Sequence, residues 1–302
     1  MRTALSSKLL LAALCHLAQP AFGDTATAPP QGMSSSVIRQ LGRDGILTAA
    51  ITGFTPYRLP ETNRIVVIDF PSLAEQAHMF GRIVLFIERH GAPKAHVMTQ
   101  DEVRQWLEQH AQRIETLTVG NNFRASQLAR FFNTARLQDE PLSGDELQLR
   151  DWLQQSGLVR QADDGLAAAE PEAVIVTLPQ ASTVPGCGAC TIKDTHRKVI
   201  LEHELSHALF ATDDLYREYV VSFWAELTGQ EDGDKFTQFL RKRGYNAGDP
   251  ELLANEMQAF LMHTPDARMF PASAVGMTEE ELEAMRRRFR SGWEARQAAG
   301  SR

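Results

Sequence analysis

Residues 203–207 place two histidines and a glutamate close together, in the order His-Glu-x-x-His. On an α-helix, His203 and His207 would lie one turn apart on one face, so both imidazoles could reach one tetrahedral Zn²⁺ ion. Glu204 would sit about 100° further round the helix. From there its carboxylate can take a proton from a zinc-activated water without binding the metal. The spacing therefore predicts zinc-assisted hydrolysis, provided that this segment is helical and that a third ligand exists.

The segment from Asp194 to Phe210 is predicted to be the required helix. It contains no Gly or Pro, and Asp194 or Thr195 can cap its first turn. Apolar residues share one side of this helix with both histidines, at the i, i+3 and i+4 spacing of a buried face. The two histidines should therefore face the protein interior, where imidazoles need partners.

Three downstream carboxylates compete to be the third zinc ligand. Asp213 stands at a spacing that some zinc enzymes use, but it also suits the N-cap of the next helix. Glu226 lies on that next helix, near its predicted end. Glu256 lies on a later helix that Asp249-Pro250 would open, with apolar residues three and four positions away on both sides. A carboxylate in such a stripe is costly to bury without a partner, which favours Glu256.

His203, Glu204 and His207, followed by the pair Asn255-Glu256, resemble the gluzincin pattern, in which a second helix delivers a glutamate to the zinc. The resemblance covers about residues 172–263. It implies an exported zinc metallopeptidase of bacterial type with a zincin-like fold. It also implies one zinc per chain, held by His203, His207 and Glu256. Glu204 would then act as the catalytic base and later as the proton donor.

Enzymes similar to gluzincins also use a Tyr or a His to stabilise the oxyanion that forms during hydrolysis. The candidates near enough in sequence are Tyr216, Tyr219, Tyr245 and His263. We favour Tyr245 or His263 for this role. His263 lies two turns beyond Glu256 on the same helix face, although a histidine there would also suit the helix dipole.

The amino terminus predicts export. Arg2 and Lys8 precede an apolar run, and Ala21-Phe22-Gly23 fits a small-x-small cleavage site, so residues 1–23 are expected to be a signal peptide. Cys15 leaves a lipid-anchored form as an alternative. The remaining chain is expected to be periplasmic or secreted.

Two further cysteines, Cys187 and Cys190, stand in a C-x-x-C pattern within a Gly-rich segment. An even pair of cysteines in an exported protein predicts a disulfide bond. The bond would stiffen the loop that leads into the histidine-bearing helix.

Charge and composition exclude some partners of this 302-residue chain. Its formal net charge of −7 argues against nucleic-acid binding. Beyond the signal-like segment, no apolar run has the length needed to span a bilayer. The expected partner is therefore a peptide or protein substrate, and the 43% hydrophobic content is ample for a packed core.

The remaining patterns predict an α+β fold that is mainly helical, with a small sheet next to the histidine-bearing helix. Residues 46–54 and 64–70 have strand character, and residues 72–89 read as an apolar helix. Capping boxes that begin at Thr99 and Ser143 predict two more helices. We place an N-terminal α+β region at 24–120, with a flexible start at 24–36, and a catalytic region at 121–302; the two regions could also form one large domain.

Residues 173–178 form the clearest predicted buried strand. In similar zinc peptidases, a strand just before the metal helix borders the cleft and can pair with an extended substrate. An internal core strand is an equally good interpretation of this segment.

Two other functions remain open at this point. The same zinc site would serve an amidase that acts on cell-wall peptides. A zinc-binding envelope protein without catalytic activity would also show the histidine pattern.

Overall fold

The computed structural model describes residues 38–89, 91–188, 190–243, 245–264 and 266–300. The predicted signal peptide at 1–23, with Cys15, and the flexible start at 24–36 lie outside these residues. Within them, the helices are α1 Arg43–Thr48, α2 Leu73–Ile87, α3 Gln100–Gln109, α4 Ala125–Leu137, α5 Gly144–Gln155, α6 Asp194–Thr212, α7 Asp214–Leu227, α8 Glu231–Lys242, α9 Pro250–His263 and α10 Glu279–Gly300. Short 3-10 turns occupy Ile114–Thr116 and Ala272–Val275.

Strands are fewer and shorter than helices. They are β1 Arg39–Gln40, β2 Thr55–Arg58, β3 Ile65–Phe70, β4 Asn121–Arg124, β5 Val159–Ala162, β6 Gly165–Ala168, β7 Val174–Pro179, β8 Ser182–Thr183 and β9 Thr191–Ile192. The chain is therefore mixed in helix and strand, with helices dominant, as the sequence predicted. Within the ranges described, every helix is too short or too polar to cross a lipid bilayer.

The chain divides into two compact units, and the division falls between Lys198 and Val199, inside α6. Gly120, where the sequence predicts a domain boundary, lies inside the first unit. There the chain enters β4, which pairs antiparallel with β7. Because β4 belongs to the same sheet as β2 and β3, the sheet joins segments from both sides of the predicted boundary.

The first unit contains a five-stranded sheet in the order β1-β2-β3-β7-β4. Its centre is the parallel pair β3 and β7, in which Ile65 lies opposite Val174 and every residue is buried. Apolar faces of α2, α4 and α5 contribute to the core of this unit. The long apolar runs of β3 and β7 are typical of strands that are covered on both faces.

The pairing of β7 corrects one prediction. Residues from Val174 to Thr177 pair with β3 on one edge and with β4 on the other. Their backbone donors and acceptors are therefore already used within the sheet, and this part of the strand has no edge to offer a substrate. The substrate-pairing role that we considered for 173–178 is therefore wrong for Val174 to Thr177, which form a core strand.

A second correction concerns residues 46–54, which were predicted as a strand. The first part of this segment instead belongs to α1, where the Thr48 hydroxyl donates to the Asp44 carbonyl oxygen over 2.9 Å. Only Ile46 and Phe54, at its two ends, are buried. A strand with one covered face would bury alternate residues, so the apolar content of this segment was misleading.

Other local signals were reliable. Thr99 and Ser143 each form the predicted capping box, with the side chains of Glu102 and Glu146 reaching back to the cap backbone. Ser72 caps α2 by accepting a hydrogen bond from the Glu75 amide. These motifs depend on residues three positions apart, so the sequence alone can reveal them.

A buried ion pair fixes the first turn of α6 within the first unit. Arg197 donates from Nη1 to Asp69 Oδ1 over 3.0 Å and to the Pro179 carbonyl over 2.8 Å. Its Nη2 donates to the Ile46 carbonyl over 3.1 Å. Gln180 donates to the second Asp69 oxygen over 2.7 Å. The start of α6 is thus tied to the ends of β3 and β7.

The cysteine pair lies in the connection between β8 and β9. The sulfur atoms of Cys187 and Cys190 are 1.96 Å apart, a disulfide distance, as the sequence predicted. The Val184 amide donates to the Cys190 carbonyl over 3.0 Å, so backbone hydrogen bonding closes the same turn.

The second unit begins at Val199 and is helical. Helix α7 packs against α9 and α10, and α8 packs against α9. Aromatic side chains fill much of its core, and the rings of Phe239, Phe260 and Phe270 contact one another with centroids 5.0–5.4 Å apart. Such pairs add to the stability gained by burying their large apolar surfaces.

Candidate metal centre

The two motif histidines lie on α6, as predicted. Their ring centroids are 4.8 Å apart with the planes nearly perpendicular, and the Nε2 atoms are 3.2 Å apart. His207 is buried, and His203 is partly exposed. The helix therefore directs two imidazole nitrogens to one point.

Glu256 reaches the same point from α9. This helix begins as predicted, with Pro250 in its first turn and the Asp249 side chain accepting from the Leu252 amide over 3.0 Å. One Glu256 oxygen lies 3.9 Å from His207 Nε2. The possible ligand atoms of His203, His207 and Glu256 all lie within 4.8 Å of one another. The three residues favoured by the sequence thus form a group that could hold a metal ion.

The two competing carboxylates lie in other settings. Asp213 caps α7, where its side chain accepts a hydrogen bond from the Tyr216 amide over 3.0 Å. Glu226 is exposed near the end of α7. Burial raises the pKa of the Tyr219 phenol, and the nearby charge of Glu226 raises it further. Neither belongs to the group formed by His203, His207 and Glu256.

A threonine beyond the end of α9 orients His203. The Nδ1 atom of His203 lies 3.0 Å from Thr264 Oγ1, and that hydroxyl donates its own proton to the Ala259 carbonyl over 3.0 Å. The threonine oxygen can therefore only accept from the imidazole. The contact places a proton on His203 Nδ1, so the neutral ring carries its lone pair on Nε2.

An asparagine orients His207 in the same way. Asn255 Oδ1 lies 2.9 Å from His207 Nδ1, and the amide of Gln258 donates to the same oxygen over 3.2 Å. An amide oxygen can only accept, so His207 also carries its proton on Nδ1. The buried Gln258 keeps the oxygen, rather than the nitrogen, of Asn255 facing the ring.

With Nδ1 of each histidine hydrogen-bonded to an acceptor, the Nε2 atoms are the nitrogens available to a cation. Both Nε2 lone pairs point into a space where the nitrogens are 3.2 Å apart, with a carboxylate alongside. Two neutral rings would place their lone pairs against each other at that distance, and a divalent cation bound by both nitrogens would remove this repulsion. Two neutral imidazoles and one carboxylate are a donor set typical of hydrolytic zinc sites, which leave the fourth position for water or substrate. The residues present therefore fit zinc.

A buried polar network lies behind Asn255. Gln258 also donates to Ser206 Oγ over 3.2 Å, and Ser206 donates to the His203 carbonyl over 2.6 Å. The Tyr216 hydroxyl donates to Gln258 Oε1 over 2.8 Å. His263 Nε2 lies 3.3 Å from the same hydroxyl. The structure thus brings His263 to Tyr216, in a network that supports the orientation of His207.

Tyr245 is the other residue that the sequence favoured for oxyanion stabilisation. It is buried, it hydrogen-bonds with Glu256, and it senses the charge of Glu204. Burial raises the pKa of Tyr245 well above its ordinary value, and the two carboxylates raise that pKa further. The phenol therefore stays protonated at neutral pH and can donate a hydrogen bond beside the Glu256 carboxylate.

Glu204 is also buried, one position after His203 on α6. Helical geometry places its side chain about 100° round from that of His203, as the motif predicted. Tyr245 lies close enough to both Glu204 and Glu256 for each carboxylate to raise its pKa.

The orienting residues were largely invisible in the sequence. Asn255 could be noticed because it precedes Glu256, and Gln258 because it follows Asn255 at helical spacing. Thr264 lies after the last residue of α9, so no periodic pattern points to it.

Comparisons with protein-family models, with curated proteins and with solved structures find no match to this chain.

We expect Asn255→Ala to weaken zinc binding by roughly 10- to 100-fold, the usual cost of removing a residue that orients a metal-binding histidine. The substitution removes the acceptor for His207 Nδ1, so the ring can turn and change tautomer. Zinc affinity is measured by competition with a fluorescent zinc indicator. Asn255→Asp retains an acceptor and should bind zinc as the wild type does.

Asn246→Ala is the matched control for this prediction. Asn246 is exposed in the same unit, and its side-chain oxygen accepts a hydrogen bond from the Gly248 amide over 3.0 Å. Equal zinc affinities for the Asn255→Ala and Asn246→Ala variants would show that Asn255 does not orient His207.

Proposed function

We propose that this chain is a zinc-dependent peptidase with a zincin-like active site. The observation that carries the proposal is the convergence of His203 Nε2, His207 Nε2 and the Glu256 carboxylate, with Glu204 on the same helix as the histidines. A zinc ion bound there would supply a Lewis acid that polarises the scissile carbonyl and lowers the pKa of water.

Glu204 acts as the general base in this proposal. Its carboxylate accepts a proton from the attacking water and then passes that proton to the nitrogen of the leaving amine. Because Glu204 is buried, its side chain would be shielded from bulk water between accepting the proton and donating it. His203 and His207 bind through Nε2, with Thr264 and Asn255 fixing the opposite nitrogens.

Tyr245 is better supported than His263 as the donor to the oxyanion. Its hydroxyl borders Glu256 and Glu204, and it remains protonated at neutral pH. His263 has its Nε2 atom against Tyr216, within the network that orients His207. We therefore assign oxyanion stabilisation to Tyr245 and a supporting position to His263.

The proposed substrate is a peptide or protein outside the cytoplasm. Cysteines at disulfide distance are compatible with an oxidising compartment, and the net charge of −7 disfavours a nucleic-acid partner. We therefore propose an exported, periplasmic or secreted, enzyme.

The proposal is tested by incubating zinc-loaded protein with a mixed peptide library and reading the products by mass spectrometry. We expect cleavage that a chelator abolishes and that restored zinc recovers. Cell-wall cross-bridge peptides in the same library identify the amidase alternative, if they alone are cut. Stoichiometric zinc without any cleavage would contradict the proposal and favour a non-catalytic zinc protein.

A further inference from the structure

Arg243 directly follows α8, and the ring of Phe260 lies between it and His203 of the metal centre. Its guanidinium carbon is 4.1 Å from the centroid of the Phe239 ring and 5.7 Å from that of Phe260. Phe260 also contacts His203, with ring centroids 5.2 Å apart. Arg243 also lies close enough to Tyr245 for each group to change the pKa of the other.

The guanidinium of Arg243 has no anionic partner in the part of the chain that the structure describes. No carboxylate of these residues lies within 4.0 Å of it, and its Nε–H is buried without a hydrogen-bond acceptor. Two buried arginines have carboxylate partners: Arg82 pairs with Glu140 and Glu146, and Arg197 pairs with Asp69. The buried Arg89 instead donates to the Gln112 side-chain oxygen.

An arginine in this setting is built to receive a planar anion. The guanidinium carbon lies over the Phe239 ring, so the aromatic face limits how the group can turn, and Arg243 as a whole is partly exposed. Burial lowers the pKa of Arg243 to about 10, so the group still carries its charge at neutral pH. A carboxylate would satisfy both the charge and the N–H donors through paired hydrogen bonds.

We propose that Arg243 binds a carboxylate of the peptide substrate, so that the site prefers peptides with a negative charge close to the bond that is cut. This inference rests on the proposed peptidase function. The carboxylate comes from a free C-terminus or from an Asp or Glu side chain, and the two sources are separated by the probes below.

The kinetic test uses three sets of peptides: free acids with neutral side chains, amides with one acidic side chain, and amides with neutral side chains only. Arg243→Met removes the charge but keeps an apolar stem against Phe239. We expect this variant to raise KM roughly 10- to 100-fold for carboxylate-bearing peptides, with kcat little changed. Neutral amides should be cut equally by both proteins.

Arg243→Lys, which keeps the charge without the planar fork, should retain part of the preference. Equal losses on charged and neutral peptides in Arg243→Met would overturn the inference, because they would indicate a packing role only. Thermal unfolding of each variant establishes that the fold is intact.

A second readout needs neither zinc nor turnover. The Nε–H resonance of Arg243 is followed by NMR in the metal-free protein and is assigned by its absence in Arg243→Met. The probes are acetyl-dialanine as free acid, the same peptide as amide, and acetyl-aspartic acid amide. We expect both carboxylate-bearing probes to shift this resonance. The probe that binds with the lower dissociation constant identifies whether the carboxylate comes from a C-terminus or from an acidic side chain.

The two readouts separate the inference from the proposed function. A shift caused by carboxylates alone, without cleavage of any peptide, would support the anion site and contradict the peptidase. Cleavage that shows no charge preference, with no shift from any probe, would support the peptidase and overturn the role of Arg243.

Discussion

Replacing Glu204 by glutamine should leave zinc bound and lower kcat by roughly 10²- to 10⁴-fold, the usual contribution of a general base. Glutamine has nearly the same shape as glutamate but cannot accept the proton of the attacking water. Because Glu204 is not among the three metal-binding residues, zinc content should stay at the wild-type level. Hydrolysis of the best library peptide and zinc per chain are measured on the same protein sample.

Glu202→Gln is the matched control for this experiment. It makes the same chemical change on α6, one turn before Ser206, at a partly exposed position outside the metal-binding group. We expect wild-type rates for this variant. A Glu204→Gln protein with bound zinc and an unchanged rate would remove the peptidase hypothesis.

Local helical periodicity explains why most of the candidate site could be predicted from the sequence. The spacing of His203 and His207 fixes their relative position as soon as α6 forms. Glu256 was favoured because apolar neighbours surround it on α9, and the structure buries it there. In both cases the informative residues lie within one helical turn of each other.

The parts that could not be predicted depend on contacts between distant segments. Thr264 meets His203 across 61 positions of sequence, and Gln258 meets Ser206 across 52. Arg243 is distinguished by its aromatic neighbours and by the lack of a carboxylate among the described residues. None of these features has a period or a spacing that can be recognised in one sequence.

The fold shows the same contrast between local and distant information. Capping boxes at Thr99 and Ser143 were correct because each is complete within four residues. The edges of β7 could not be assigned, because they are filled by β3 and β4, which lie far away in the sequence. Strand pairing depends on the tertiary arrangement, and so the predicted substrate-binding edge was wrong.

Replacing Glu256 by alanine should abolish zinc binding and, with it, peptide hydrolysis. The substitution removes one of three ligands, so the loss should exceed the roughly 10- to 100-fold effect of removing an orienting partner such as Asn255. It also leaves the two imidazole nitrogens 3.2 Å apart without the neighbouring negative charge that favours a cation. Glu226→Ala, at an exposed position on α7, makes the same change and should bind zinc normally.

The most direct test of this account is the zinc content per chain of the wild-type, Glu256→Ala and Glu226→Ala proteins, purified and dialysed together. We predict close to one zinc in the wild type and in Glu226→Ala, and almost none in Glu256→Ala. Zinc retained by Glu256→Ala, or lost from Glu226→Ala, would contradict the ligand set of His203, His207 and Glu256. A wild-type protein that takes up no zinc after reconstitution would contradict the metal centre itself.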